Sequence, residues 1–224
     1  MNPNHRFTTI FFDLDETLYA RQTGLMQAIG RRIVCFMTER LGLSPDEAEA
    51  RRKYYYQTYG TTLRGLQHDF DIETTAYLAF VHDLPLPDFL RPDPALDRML
   101  AGLPQQKIVF TNADAAHAKR VLDALGIRRH FPAIIDIVAN EFICKPNIVP
   151  YRNALASTGA EARRSILVED SARNLAPAKS LGMATILVDS APDETVDVHV
   201  ATILEVGPAV ERLSQQQFAG EDHQ

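Results

Sequence analysis

Asp13 and Asp15 stand two residues apart, directly behind the apolar run Ile10-Phe11-Phe12. In an extended chain positions i and i+2 face the same way, so both carboxylates are aimed into one small volume at the end of a buried strand. Two anions that close repel unless a cation lies between them or one holds a proton. Comparable polar tips follow other apolar runs: Thr111-Asn112 after 107–110, Glu169-Asp170-Ser171 after 165–168, and Ala139-Asn140-Glu141 leading to Lys145-Pro146 after 133–138. Brought together, these groups suit phosphoryl transfer. A carboxylate such as Asp13 can attack phosphorus and form an aspartyl-phosphate, dividing hydrolysis into two steps. An anionic nucleophile approaches a phosphate dianion only where positive charge is supplied. Mg²⁺ takes oxygen ligands, commonly one or two carboxylates with waters and a phosphate oxygen. Asp13 and Asp170 are the expected side-chain ligands, with Glu169 touching the ion or standing behind it. Lys145 is the second positive element. The Thr111 hydroxyl and the backbone amides near Asn112 are donors for phosphate oxygens. Asp15 would protonate the leaving oxygen and then take a proton from the attacking water.

The elements that must position these residues follow from periodicity. Residues 7–12 read as a buried strand. Leu25, Ile29, Ile33, Phe36, Met37 and Leu41 lie at helical spacing and predict a helix over 25–41, closed by Gly42. Ser44-Pro45-Asp46-Glu47 has the form of a capping box with proline at the first helical position, opening a second helix through about Tyr56. Shorter helical patterns occupy 61–69 and 72–82, followed by a proline-rich passage at 84–94. The pattern then changes. The apolar runs at 107–110, 133–138, 165–168 and 185–188 alternate with helix-like stretches at 114–125, 148–158 and 172–181, closed by Gly126, Gly159 and Gly182. Such alternation predicts an α/β fold, a doubly wound parallel sheet of Rossmann-like form covered on both faces. Residues 1–18 and 96–224 are assigned to this core, and 19–95 to an inserted helical cap. Open parallel sheets bind ligands at the carboxyl ends of their strands, which is where the polar tips lie.

These residues in this order resemble the haloacid dehalogenase-like (HAD) hydrolase superfamily, and within it the phosphatases. The resemblance rests on Asp13-x-Asp15-x-Thr17, Phe110-Thr111-Asn112, Lys145-Pro146 and Glu169-Asp170-Ser171-x-x-Asn174. It implies the roles given above, residue by residue, and adds the backbone carbonyl of Asp15 as a metal ligand. The family's dehalogenases lack the second aspartate of the first motif, so Asp15 argues against that chemistry. Many relatives carry aspartate at the position of Glu169, which leaves open whether Glu169 touches the metal. Asn174 either pins its loop or contacts metal-bound water. Within the insert, Tyr59-Gly60-x-x-x-Arg64-Gly65-Leu66 looks like the cap of pyrimidine 5′-nucleotidases. It implies that Arg64, helped by Tyr55 or Tyr59, binds the leaving group; the alternative is that Arg64 pairs with an acid inside the cap. The expected substrate is a small phosphate ester, first a pyrimidine nucleoside 5′-monophosphate, with phosphoglycolate or a sugar phosphate as alternatives. A phosphomutase would need a sugar bisphosphate site, for which no residues are identified. A non-catalytic binding protein on the same fold would be marked by loss of Asp13, Asp15 or Lys145, and all three are present. Phosphotransfer to a protein partner calls for a wide opening in place of so large an insert.

Composition narrows the partners. The formal net charge is −6 and no basic cluster is present, which excludes polymer nucleic acid but not single nucleotides. Arg31-Arg32 and Arg51-Arg52-Lys53 read as solvated helix faces. No apolar run approaches bilayer length, and Met1–Arg6 lacks the apolar core of a signal peptide, so a cytoplasmic, membrane-free protein is expected. Cys35 and Cys144 have no disulfide or metal spacing and read as buried thiols. His68, His82 and His117 show no ligand spacing and no evident partner, and read as surface or packing residues. Among Tyr54, Tyr55 and Tyr56 at least one is expected in the core. Pro177 is expected in an early helical turn, and the polar tail 215–224 is expected to fray.

Overall fold

The computed structural model describes residues 6–216; most of the tail expected to fray lies outside them. Among the described residues six strands form one parallel sheet: β1 (Thr9–Phe12), β2 (Gln106–Phe110), β3 (Ala133–Ile135), β4 (Ser165–Glu169), β5 (Ala184–Val188) and β6 (Val198–Val200). Their order is β3-β2-β1-β4-β5-β6. Phe12 at the end of β1 lies level with Val109 on one side and Val168 on the other. The strand order reverses between β1 and β4, and a crevice opens at such a point beyond the carboxyl ends of the strands.

The continuous apolar runs are explained by burial on both faces. Ile10, Phe12, Val109, Ile166, Val168, Ile186 and Val188 enter one core. It is covered by α5 (Pro94–Gly102), α6 (Ala115–Leu125) and α9 (Val206–Gln216). Phe11, Ile108, Phe110, Leu167 and Leu187 face the other way, against α7 (Ile148–Thr158) and α8 (Ala172–Ser180). Between β1 and β2 the chain inserts α1 (Leu25–Leu41), α2 (Pro45–Tyr59), α3 (Thr62–Asp69) and α4 (Thr74–His82). These helices close their own core around Phe36, Met37, Tyr55, Leu63, Leu66, Tyr77 and Val81, into which Ile137 and Cys144 reach from the sheet side. None of the described helices is long and apolar enough to cross a membrane.

Several expectations need correction. The run 133–138 is a strand only to Ile135, because Asp136 turns its carboxylate to accept from Ala115 N and Ala139 N, both at 2.8 Å. The second helix continues to Tyr59; Ser44 accepts from Glu47 N at its start, but the Glu47 carboxylate turns to Arg51. Pro177 sits past the first turn, near the middle of α8, where it removes one helical N–H donor. Cys35 is half-buried, and only Cys144 is fully enclosed. Of the tyrosines Tyr55 is the core residue, at 0% exposure, while Tyr54 and Tyr56 are more than half exposed.

Candidate active site

Parallel pairing sets the centre of the site. Asp13 N continues the β1–β4 ladder by donating to Val168 O at 2.9 Å, so Asp13 emerges beside Glu169. Lys145 arrives on the loop before α7 and is 1% exposed. Its Nζ donates to Asp13 Oδ1 at 2.7 Å, Glu169 Oε1 at 2.9 Å and Phe110 O at 2.9 Å. An ammonium has three N–H donors, and all three have acceptors. Burial alone would lower the lysine pKa, but the charges of Asp13 and Glu169 outweigh it and hold the ammonium protonated. Asn112 fastens the loop: its Oδ1 accepts from Lys145 N at 2.8 Å and its Nδ2 donates to Lys145 O at 3.1 Å. The Asn112 side chain is thus engaged in positioning Lys145, while the backbone amides near it are the groups expected to meet phosphate. Thr111 lines the cavity, and its hydroxyl accepts from Ala113 N at 3.0 Å.

Asp13, Glu169 and Asp170 each bring a ligand oxygen within 4.8 Å of the other two. Burial, with the charges of Glu169 and Asp15 added, lifts the Asp13 carboxyl to about 7 against the pull of Lys145. Burial and the charges of Asp13 and Glu16 lift Asp170 to about 6. Glu169 is raised by burial as well. Lys145 pairs with Asp13 and Glu169, and Asp170 stands beside them with its pairing cation, Arg21, half exposed. The surplus negative charge and the all-oxygen donor set fit a hard divalent cation such as Mg²⁺. Glu169 Oε1 also accepts from Asn174 Nδ2 at 2.6 Å, and Oε2 accepts from Ser171 N at 2.8 Å. Asn174 therefore pins Glu169. Arg21 bridges Asp170 and Glu16 at 3.0 and 3.1 Å.

Asp15 lines the same cavity but has different partners. Tyr19 OH donates to its Oδ1 at 2.7 Å and His117 Nε2 meets the same oxygen at 3.0 Å. Burial raises the Asp15 pKa, yet His117 and these hydrogen bonds outweigh it and leave the carboxyl below its ordinary value. His117 is 1% exposed and stacks on His82 with ring centroids 4.1 Å apart. Both histidines, expected to have no partner, therefore have one in the fold. His68 also has one, Asp69 at 2.7 Å. His117 was missed because it lies 102 residues from Asp15; its place three residues after the helix-capping Asp114 says nothing of that contact.

The cavity above these groups is about 760 Å³ and reaches from Asp13 and Asp170 to Gln27, Glu49, Arg52, Thr61 and Thr62 on the inserted helices. Arg64 does not line it. Thr62, Leu63, Gly65 and Leu66 are buried, which turns Arg64 to solvent, where it donates to Gln67 Oε1 at 3.3 Å. Among the described residues Arg64 makes no ion pair with an acid, so neither expected role is drawn. Tyr55 lies beneath Gly65 with its hydroxyl on Asp69, away from the site. Arg31 and Arg52 line the cavity from the insert, Arg52 paired through two hydrogen bonds with Glu49 at 2.8 and 2.9 Å.

Residues 7–182 match the family described as haloacid dehalogenase-like hydrolase. The chain is 31% identical over 201 residues to phosphate metabolism protein 8 of Saccharomyces cerevisiae, covering 83% of this chain and 63% of that longer protein. It is 28% identical over 194 residues to a phosphoglycolate phosphatase of Neisseria gonorrhoeae, covering 79% of this chain and 78% of the relative. The structure resembles a HAD phosphatase from Thermococcus onnurineus with a TM-score of 0.65 at 19% identity, over 91% of this chain and 98% of the other. The family match over most of the chain, on a sheet whose switch point gathers the four motifs, makes this protein a member of the haloacid dehalogenase-like hydrolases.

Proposed function

We propose that this chain is a Mg²⁺-dependent phosphomonoester hydrolase working through an aspartyl-phosphate on Asp13. The observation that carries the reading is the buried Lys145 ammonium held between Asp13 and Glu169, with Asp15 beside it on an independent set of hydrogen bonds. A Mg²⁺ held by Asp13 and Asp170, with Glu169 and the backbone carbonyl of Asp15 around it, would supply positive charge to the phosphate oxygens. Lys145 fixes the nucleophile and offsets charge as the phosphoryl group arrives. Thr111 and the amides around Asn112 orient the phosphate. Asp13 oxygen bonds to phosphorus as the ester P–O bond breaks, and Asp15, which takes up a proton as the phosphate brings further negative charge beside it, gives that proton to the departing oxygen. In the second step Asp15 takes a proton from water as that water displaces Asp13.

The helices of 19–95 act as a cap that sets the substrate. A 760 Å³ cavity with Gln27, Glu49 and Arg52 on its far wall suits a leaving group larger than a two-carbon acid and rich in hydrogen-bonding edges. A nucleoside 5′-monophosphate, pyrimidine first, meets that description. Phosphoglycolate is the second reading, favoured by what the Neisseria relative is named for.

The test is phosphate release from UMP, CMP, AMP, IMP, phosphoglycolate and sugar phosphates, with and without Mg²⁺. Release that needs Mg²⁺, favours UMP and CMP and disappears in Asp13→Asn supports reaction and substrate together. Preference for phosphoglycolate would keep the reaction and discard the nucleotide. No release from any ester would overturn the reading.

A further inference from the structure

His117 and His82 carry an arrangement that packing does not require. Both donors that reach Asp15 land on one oxygen: Tyr19 OH at 2.7 Å and His117 Nε2 at 3.0 Å both meet Oδ1. Among the described residues nothing donates to Oδ2. A carboxylate only accepts, so His117 must carry its hydrogen on Nε2. Its Nδ1 is then buried without a hydrogen-bond partner. A buried unpaired polar atom costs free energy, and an apolar ring would fill this space without that cost.

The imidazole is braced from the insert. His82, the last residue of α4, stacks on it at 4.1 Å with 19° between the planes. Asp114 ties the two together, accepting from His117 N at 2.7 Å through Oδ1 and facing His82 Nδ1 at 3.1 Å through Oδ2. Arg120 on α6 donates to His82 O at 2.9 Å and Leu84 O at 2.7 Å, fastening the end of α4 to the sheet side.

We propose that His117 is the positioning residue of Asp15, gripping Oδ1 while His82 backs the ring from the insert, so that Oδ2 alone carries the proton exchanged with the leaving oxygen. This rests on the phosphatase reading above. The proton leaves Oδ2 for the ester oxygen as that oxygen takes the electron pair of the breaking P–O bond, and the resulting carboxylate keeps its two donors on Oδ1. Loosening His82 therefore loosens Asp15, which ties the seat of the insert to proton transfer.

The experiment compares kcat for two esters of different leaving-group demand. 4-Nitrophenyl phosphate expels a stabilised phenolate and needs little protonation, whereas a primary alkyl phosphate needs the proton. Asp15→Asn defines the full split between them. His117→Leu should lower kcat for the alkyl ester about tenfold more than for the aryl ester. His117→Gln, whose amide can still donate to Oδ1, should recover most of that difference, and His82→Ala should show a smaller split of the same sign. The ratio of the two rates does not depend on the folded fraction, so a poorly folding variant still reports. An equal fall on both esters, or none in His117→Leu and His82→Ala, overturns the proposal. The alkyl ester is the one the parent protein hydrolyses best among the phosphate esters tested above; a parent that releases phosphate from none of them overturns the phosphatase reading and this proposal with it, a result visible before any variant is made.

Discussion

Asp13 and Asp170 occupy positions where burial works against their own ionisation. Their carboxyls are held at about 7 and about 6, against an ordinary aspartate value of 3.8. A carboxyl raised on folding binds its proton more tightly in the native state. Its contribution to stability is therefore complete below 3.8 and is lost as pH climbs through the folded values. A cation binds the ionised forms, so its stabilising effect must grow over the same interval. Saturating Mg²⁺ should thus raise the Tm markedly more at about pH 7.5 than at about pH 5. Thermal melts of the parent and of Asp170→Asn test this. An equal Mg²⁺ gain at both pH values, or an undiminished gain in Asp170→Asn, would remove these carboxylates as the metal site.

At the scale of elements, the insert meets the lysine loop through glycine. Gly60 closes α2 at φ +91°, and a Cβ there would lie 2.7 Å from Lys145 O and 3.0 Å from Cys144 Sγ. Gly65 on α3 lies against the Tyr55 ring, where a Cβ would fall 2.1 Å from the nearest ring carbon. The motif that suggested a substrate arginine is thus largely a packing motif: Gly60, Gly65 and Leu66 let α2 and α3 close on each other and on the loop of Lys145. Both alanine variants should cost about 1–3 kcal/mol of stability in urea titrations. They should differ in function. Gly60→Ala presses on the Lys145 carbonyl and should lower kcat per folded molecule, whereas Gly65→Ala should leave it near the parent value. The reverse order of kcat would show that Gly60 does not support the site. Periodicity exposed α1, α6 and α7 because their apolar faces repeat over three turns. It missed α5, which opens on Pro94 inside a proline-rich passage, β6, which is three residues long, and α9 at the end of the described residues.

Taken as one molecule, the protein is a sheet and a helical insert joined over the cavity, with Cys144 in the seam. Its thiol donates to Tyr59 O at 3.2 Å, and burial pushes its pKa up. Cys35 lies on α1 and is half-buried. Thiol alkylation should therefore modify Cys35 first and Cys144 slowly, at the rate at which the insert lifts from the core. Mg²⁺ with a phosphate analogue should slow Cys144 further while leaving Cys35 unchanged, as read by mass spectrometry of the labelled peptides. Fast labelling of Cys144 that the ligand does not alter would mean that the seam does not close over substrate.

The sheet, its two covered faces and the four polar tips were legible in the sequence because each depends on local order: alternation along a strand, apolar runs, and the residue that follows a strand end. A parallel sheet aligns those ends, so Asp13, Thr111 and Glu169 converge by register alone. Contacts across sequence distance were not legible. Asn112 holding Lys145, Asn174 pinning Glu169, Arg64 turned to solvent and Arg52 turned into the cavity all depend on how separately folded helices and loops meet. The pairing of His117 with Asp15, 102 residues apart, is of the same kind: the sequence supplies an imidazole on the first turn of a helix, and only packing decides which carboxylate it reaches.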